Sequence, residues 1–260
     1  VVVRAWVGAG VEGHTARVSC MQGGNETGAI QPVEELAKLA RRKNPNVRVH
    51  VDGVQGFMRV PMHMERMGVD LYALSGHKIH GPKGIGVLAV RPGVRLIPQI
   101  TGGGQEKGLR SGTYNSPAIL GLGEAVKTLA ADRKAVERMR AMKAHLWAVL
   151  SQEGGICLNG PKPGETDSAP HILSLSFDGV RGEVMRNALE GEGVLVSTGS
   201  ACASHKQKVS PTLRAMGLSQ AQADGTVRVS LGAMNTMDEM DEAAQHMLAL
   251  YRMLRQFKRR

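Results

Sequence analysis

The chain has 260 residues, 42% of them hydrophobic, which is enough to bury one sizeable core or two modest ones. No apolar run approaches the roughly 20 residues of a membrane-spanning helix, and the opening stretch, interrupted by Arg4, Glu12 and Arg17, lacks the basic leader of a secretory signal. The net charge of +10 invites a nucleic-acid reading, but only 3% of residues are aromatic and the cations are scattered, so an anionic cofactor or an acidic protein partner is expected instead.

Residues 18–21 read as a strand, followed by the loop GGNETGAIQ. Pro32 stands where a first helical residue is welcome, and Val33, Leu36, Ala37, Leu39 and Ala40 form a helical stripe ending in Arg41, Arg42 and Lys43. Three further strands are expected at 47–51, ending at Asp52, at 71–74, ending at Ser75, and at 84–90. This alternation predicts a parallel α/β sheet with polar residues gathered at strand ends, where open sheets place their ligands. A Gly-rich loop at 101–112 leads into a long helix over 117–150, and the following segment to Pro170 reads as loop. Then come a strand (171–177), a helix (182–190), a strand (194–197), a small-residue loop, a helix (209–216), a strand (227–230) and a closing helix (238–254). The expected division is a larger α/β domain over 1–130 and a smaller α+β domain over 131–260.

Four places could carry chemistry. Asp52, at the end of a buried strand, is placed to hold a cationic ring nitrogen, although an Asp there could equally cap a helix or a turn. Lys78, in Ser75-Gly76-His77-Lys78 after the next strand, has a histidine beside it and glycines behind it that let a planar group approach. Its alternative is an ordinary surface lysine. The loop TGGGQEKGLRSGT could cradle phosphate with its N–H groups and Thr113, although it is neither a Walker A loop nor a GxGxxG turn. Cys202 lies among small residues in VSTGSACASHKQKVS, where a thiol can be delivered to a substrate and His205 and Lys206 favour its thiolate. A small buried apolar residue is the other reading, and it suits Cys20 better. Cys20, Cys157 and Cys202 make no disulfide framework, so a reducing, cytoplasmic home is expected. His77 and His80 have no metal-ligand spacing with other residues, and no metal is expected.

Asn25-Glu26-Thr27-Gly28, His50-Val51-Asp52 with Gln55, Ser75-Gly76-His77-Lys78, Arg110-Ser111-Gly112-Thr113 and Ser200-Ala201-Cys202 together resemble, in order, the motifs of cysteine desulfurases. The resemblance implies a pyridoxal 5'-phosphate (PLP) enzyme of fold type I in the class V aminotransferase group. Its mostly parallel large-domain sheet would be incomplete here, followed by the smaller α+β domain with a mobile cysteine loop. By the same resemblance Lys78 holds the cofactor covalently, Asp52 pairs with the pyridine nitrogen and Gln55 meets the phenolic oxygen. Ser75 and His77 contact the phosphate, Thr113 reaches the phosphate of a neighbouring subunit in a homodimer, and Asn25 and Arg228 bind the substrate carboxylate. Cys202 takes sulfur from L-cysteine, leaving alanine and a persulfide for an acceptor such as an iron–sulfur scaffold or a tRNA-thiolation enzyme. A selenocysteine lyase, an aminotransferase or a non-catalytic interaction module of the same fold are the alternatives. The family carries a further segment ahead of the strand at 18–21, so the chain is expected to be the C-terminal part of such an enzyme.

Overall fold

The computed structural model describes Val7, residues 9–198 and residues 210–257. They divide into two units, Val1–Gly23 with Gln31–Arg133 and Gly24–Ile30 with Lys134–Arg260. A loop expected to serve the first domain is therefore part of the second unit.

In the first unit the β-branched runs become strands β1 (Arg17–Met21), β2 (Arg48–Asp52), β3 (Leu71–Ser75) and β4 (Gly86–Val90), adjacent in that order. β1, β2 and β3 are parallel and β4 is antiparallel to β3. The reversal has a simple cause. Only residues 76–85 join β3 to β4, and a parallel crossover needs a dozen or more. Helix α1 (Val33–Lys43) buries Val33, Leu36, Ala37 and Ala40, and Val33 and Ala37 pack with Val49, Val51, Val69 and Tyr72 of the sheet region. Glu34 and Glu35 in its first turn and three cations in its last complement the helix dipole. At the start of β3, fully buried Asp70 accepts from Arg41 Nη2 and from the Val49 amide, each at 2.8 Å, and pairs with Arg91. One carboxylate thus ties α1, β2 and the residue after β4 together.

The predicted helix over 117–150 is two helices, α2 (Ser116–Ala131) in the first unit and α3 (Ala135–Leu150) in the second. Asp132 leaves helical space at ψ 75° and breaks the run. The second unit continues with β5 (Ile156–Leu158), β6 (Ile172–Phe177), α4 (Gly182–Gly191), α5 (Pro211–Ala215), α6 (Gln220–Asp224), β7 (Thr226–Ser230) and α7 (Met237–Leu254). β5, β6 and β7 form an antiparallel sheet, and every residue of β6 is buried. Met139, Leu146 and Leu150 of α3, Leu189 of α4 and Met247 and Tyr251 of α7 close over Leu173, Leu175, Phe177 and Val227. The strand expected at 194–197 is only an isolated bridge between Ser197 and Arg228, because the Val194 amide is already given to Leu189 at the end of α4. β5 falls in a stretch read as loop, and α6 in one to which no element was assigned.

Candidate functional site

Asp52 closes β2, in register with Met21 and Ala73 on its two parallel neighbours, so its carboxylate leaves the carboxyl edge of the sheet. β3 ends at Ser75 on that same edge, and the 3-10 turn Gly76–Ile79 carries Lys78. This turn is held tightly: the Gly81 amide bonds the Gly76 carbonyl at 2.9 Å, and a Cβ on Gly76 would meet Ile85 at 2.9 Å. Arg59 also grips it, donating from Nη2 to the Lys78 carbonyl, while its Nη1 is buried with no hydrogen-bond partner among the described residues. Ser75 Oγ and His77 Nδ1 lie 2.7 Å apart, with His77 exposed and Lys78 half-buried.

The loop after Asp52 is shaped by what lies beneath it. Asp52 Oδ1 accepts from the Val54 amide at 2.9 Å, closing an Asx turn. Below, Tyr72 donates its hydroxyl to Gln22 Oε1 at 2.7 Å, and Gln22 Nε2 donates to the Val60 and Pro61 carbonyls at 3.2 and 3.1 Å. A Cβ on Gly53 would fall 1.9 Å from the Tyr72 ring, and one on Gly56 would fall 2.0 Å from Gln22 Oε1, so only glycine lets the backbone lie this low. Gln55 sits half-buried between them. Burial raises the Tyr72 phenol, with Asp52 adding to the effect. His50, 2.7 Å from Ser19 Oγ, is lowered by burial and Arg17 against the pull of Asp52.

Thr113 is exposed at the end of the Gly-rich loop, which turns on itself. The Gly112 amide bonds Gln105 Oε1 at 3.0 Å, the Gly104 amide bonds Ser111 Oγ at 3.3 Å and the Glu106 amide bonds Tyr114 Oη at 3.1 Å. These three N–H groups serve the loop itself.

Asn25 and Arg228 meet in the second unit, where Arg228 Nη1 donates to the Asn25 carbonyl at 2.8 Å. The backbone of Arg228 pairs on one side with Ser174 of β6 and on the other with Ser197, one residue before the end of the described stretch. Gly28, at φ 72°, closes the Asn25 turn with Ile172 pressed against it. Cys202 lies outside the described residues.

Gln22, Arg59 and Tyr72 were not among the residues singled out from sequence. Gln22 directly follows a strand on the ligand-bearing edge, which is a usable signal, whereas Arg59 carries none. Among the described residues no cluster of His, Cys, Asp or Glu could hold a metal ion, and no helix is long and apolar enough to cross a membrane.

A family model described as aminotransferase class-V matches residues 7–242. The chain is 40% identical over 236 residues to a NifS/IcsS protein homolog of Lactobacillus delbrueckii, covering 90% of this chain and 60% of the relative. It is also 40% identical over 243 residues to a protein named cysteine desulfurase IscS of Anaeromyxobacter dehalogenans, covering 92% and 58%. Among solved structures, a NifS-like protein superposes with a TM-score of 0.87 at 36% identity, covering 96% of this chain and 65% of that one. The chain thus spans about three fifths of the length of the curated relatives it matches.

Proposed function

Because the chain belongs to the aminotransferase class-V family, we propose that it forms part of a PLP-dependent cysteine desulfurase, which takes sulfur from L-cysteine and releases alanine. The observation that carries this reading is the placement of Asp52 and Lys78 at the carboxyl ends of adjacent parallel strands, beside a low, glycine-lined loop. A half-buried carboxylate, a half-buried amine and a Ser–His pair suit the ring nitrogen, the aldehyde and the phosphate of that cofactor. The orphaned Nη1 of Arg59 is a further donor facing no protein acceptor among the described residues. When bound, PLP supplies an electron sink for the carbon that carries the substrate amino group.

The chain's own groups do the rest. Asp52 would hold a proton on the ring nitrogen, Gln55 would donate to the phenolic oxygen, and Lys78 would hold the cofactor and move protons at the substrate carbon. Ser75 and His77 would take the phosphate, and Thr113, exposed on its loop, would reach the phosphate of a second copy in a homodimer. Asn25 and Arg228 receive the substrate carboxylate, since a guanidinium offers a carboxylate paired donors. The Cys202 thiolate attacks the substrate sulfur. A new S–S bond forms, the carbon–sulfur bond breaks, and its electron pair stays with the substrate carbon, which takes up a proton to become alanine. The outer sulfur of the persulfide then passes to a thiol of an acceptor protein of iron–sulfur assembly or tRNA thiolation in the cytoplasm, and the Cys202 thiolate is restored.

Borohydride reduction in the presence of PLP, followed by peptide mapping, tests the site. The expected label is on Lys78. Label on another lysine, or on none, overturns the assignment.

A further inference from the structure

Lys143 lies on the core face of α3, 2% exposed, with Met139, Met142 and Leu146 on the same helix face and all buried. An ammonium group there costs several kcal/mol unless its bonds compensate, and an apolar side chain would pack as well without that cost. What the amine does is therefore read from its partners. Nζ donates to Ser168 Oγ at 2.7 Å and to the Ala169 carbonyl at 2.8 Å. Both acceptors lie on a stretch that is zipped to the Asn25 turn. The Ile30 amide bonds the Asp167 carbonyl at 2.7 Å, the Ala169 amide bonds the Gly28 carbonyl at 2.8 Å, and Ala29 and Ser168 form the bridge between them. The turn closes on itself through the Gly24 amide to Ala29 at 2.8 Å and the Gly28 amide to Gly24 at 3.0 Å. Arg228 then takes the Asn25 carbonyl from the opposite end.

We propose that Lys143 is a positioning residue for the carboxylate-binding pair: it anchors residues 167–169, which hold residues 28–30, so that Asn25 is presented to Arg228 at a fixed distance. The proposal rests on the reading of Asn25 and Arg228 given above. Two cations thus hold one seven-residue segment, Arg228 directly and Lys143 through two main-chain pairs. At its base the segment is also closed by the Gln31 amide, which bonds the Gln22 carbonyl at 2.9 Å.

The test uses the full chain with Lys143→Met, which keeps the length of the side chain and removes the donors, and Ser168→Ala, which removes one acceptor. Amide hydrogen exchange gives a readout independent of turnover. In Lys143→Met the amides of Gly28, Ile30 and Ala169 are expected to exchange roughly tenfold faster, while Val227 and Val229 in β7 keep their protection within about twofold. Ser168→Ala is expected to show the same pattern at smaller amplitude. In the loaded enzyme, KM for L-cysteine and Kd for L-alanine should rise about tenfold with kcat changed less than about threefold, the mark of lost ground-state binding.

Unchanged exchange at the three amides overturns the proposal. A uniform loss of protection through β6 and β7 does so too, because it makes Lys143 an ordinary core residue. If Lys143→Met does not fold, Ser168→Ala decides, and wild-type exchange in that variant rejects the anchor. If the unsubstituted chain neither turns over cysteine nor binds alanine, the carboxylate-site reading fails on its own, while the exchange result still decides whether Lys143 holds the turn.

Discussion

Replacing Asp70 tests the structural base beneath the Asp52–Lys78 edge. Its carboxylate is fully buried, accepts one backbone amide and is met by Arg41 and Arg91, with Arg48 farther off at 3.9 Å. Removing one partner of a buried ion pair costs roughly 3–5 kcal/mol when the other charge is stranded. Here the arginines are not fully stranded, since the Arg41 and Arg91 side chains are 26% and 36% exposed and can rehydrate. Asparagine also keeps an acceptor for the Val49 amide, so Asp70→Asn should cost about 2–3 kcal/mol and Asp70→Ala about 3–5 kcal/mol. For a unit of this size the asparagine loss corresponds to a melting temperature lower by about 10 °C. Pulse proteolysis in urea, read on peptides from β2, β3 and α1, reports the first unit separately from the second. A free energy within about 0.5 kcal/mol of the unsubstituted chain would refute the reasoning, for it would mean that the three elements hold together without this carboxylate.

Gly53→Ala should destabilise the first unit by at least about 3 kcal/mol, because its methyl group enters the Tyr72 ring, whereas Tyr72→Phe, which orphans Gln22 Oε1, should cost only about 1–2 kcal/mol; denaturant midpoints that reverse this order contradict the packing described. Cys202→Ser should abolish persulfide and sulfide formation from cysteine while leaving the PLP label on Lys78 intact, and continued sulfide release would move the chain towards another class V activity. Burial pushes the Cys20 thiol up to about 11, whereas Cys157 is exposed, so at pH 8 a thiol reagent should modify Cys157 of the folded chain on the order of a hundredfold faster; equal rates in peptide mapping would exclude the buried setting. Burial, with Arg140 adding and Asp167 opposing, pushes the Lys143 amine down to about 8. Between about pH 8 and 10.5 the unfolded chain then holds more protons than the folded one, so the stability of the unsubstituted chain relative to Lys143→Met should rise with pH by up to about 1.4 kcal/mol per unit. A flat difference across that window in urea titrations would be the contrary result.

The strands and helices of the first unit were legible because β-branched runs and the Val33–Ala40 stripe state their periodicity locally. The strand-end positions of Asp52 and Lys78 were legible for a related reason, since each follows such a run. Direction is not written in a strand, so the antiparallel β4 followed only from the short connection behind it. The contacts that shape the site join distant residues: Gln22 to Tyr72, and Arg59 to Lys78, have no local pattern to betray them. Lys143 illustrates the same limit, as a lysine within a charged, Met-rich helix reads as surface until Ser168 and Ala169 arrive to receive it. The strand expected at 194–197 failed because its amide was claimed by the preceding helix, a competition that composition does not reveal.

The excursion of Gly24–Ile30 into the second unit has a consequence for how the molecule can be cut. A piece beginning at Lys134 would lack the strand-like stretch that Ser168 pairs with, and Asn25, whose carbonyl Arg228 meets, would be left behind on the other fragment. Synthesis imposes a related order: the Asn25 turn emerges some 140 residues ahead of its partner segment, so its pairing depends on a long-range closure and not on local folding.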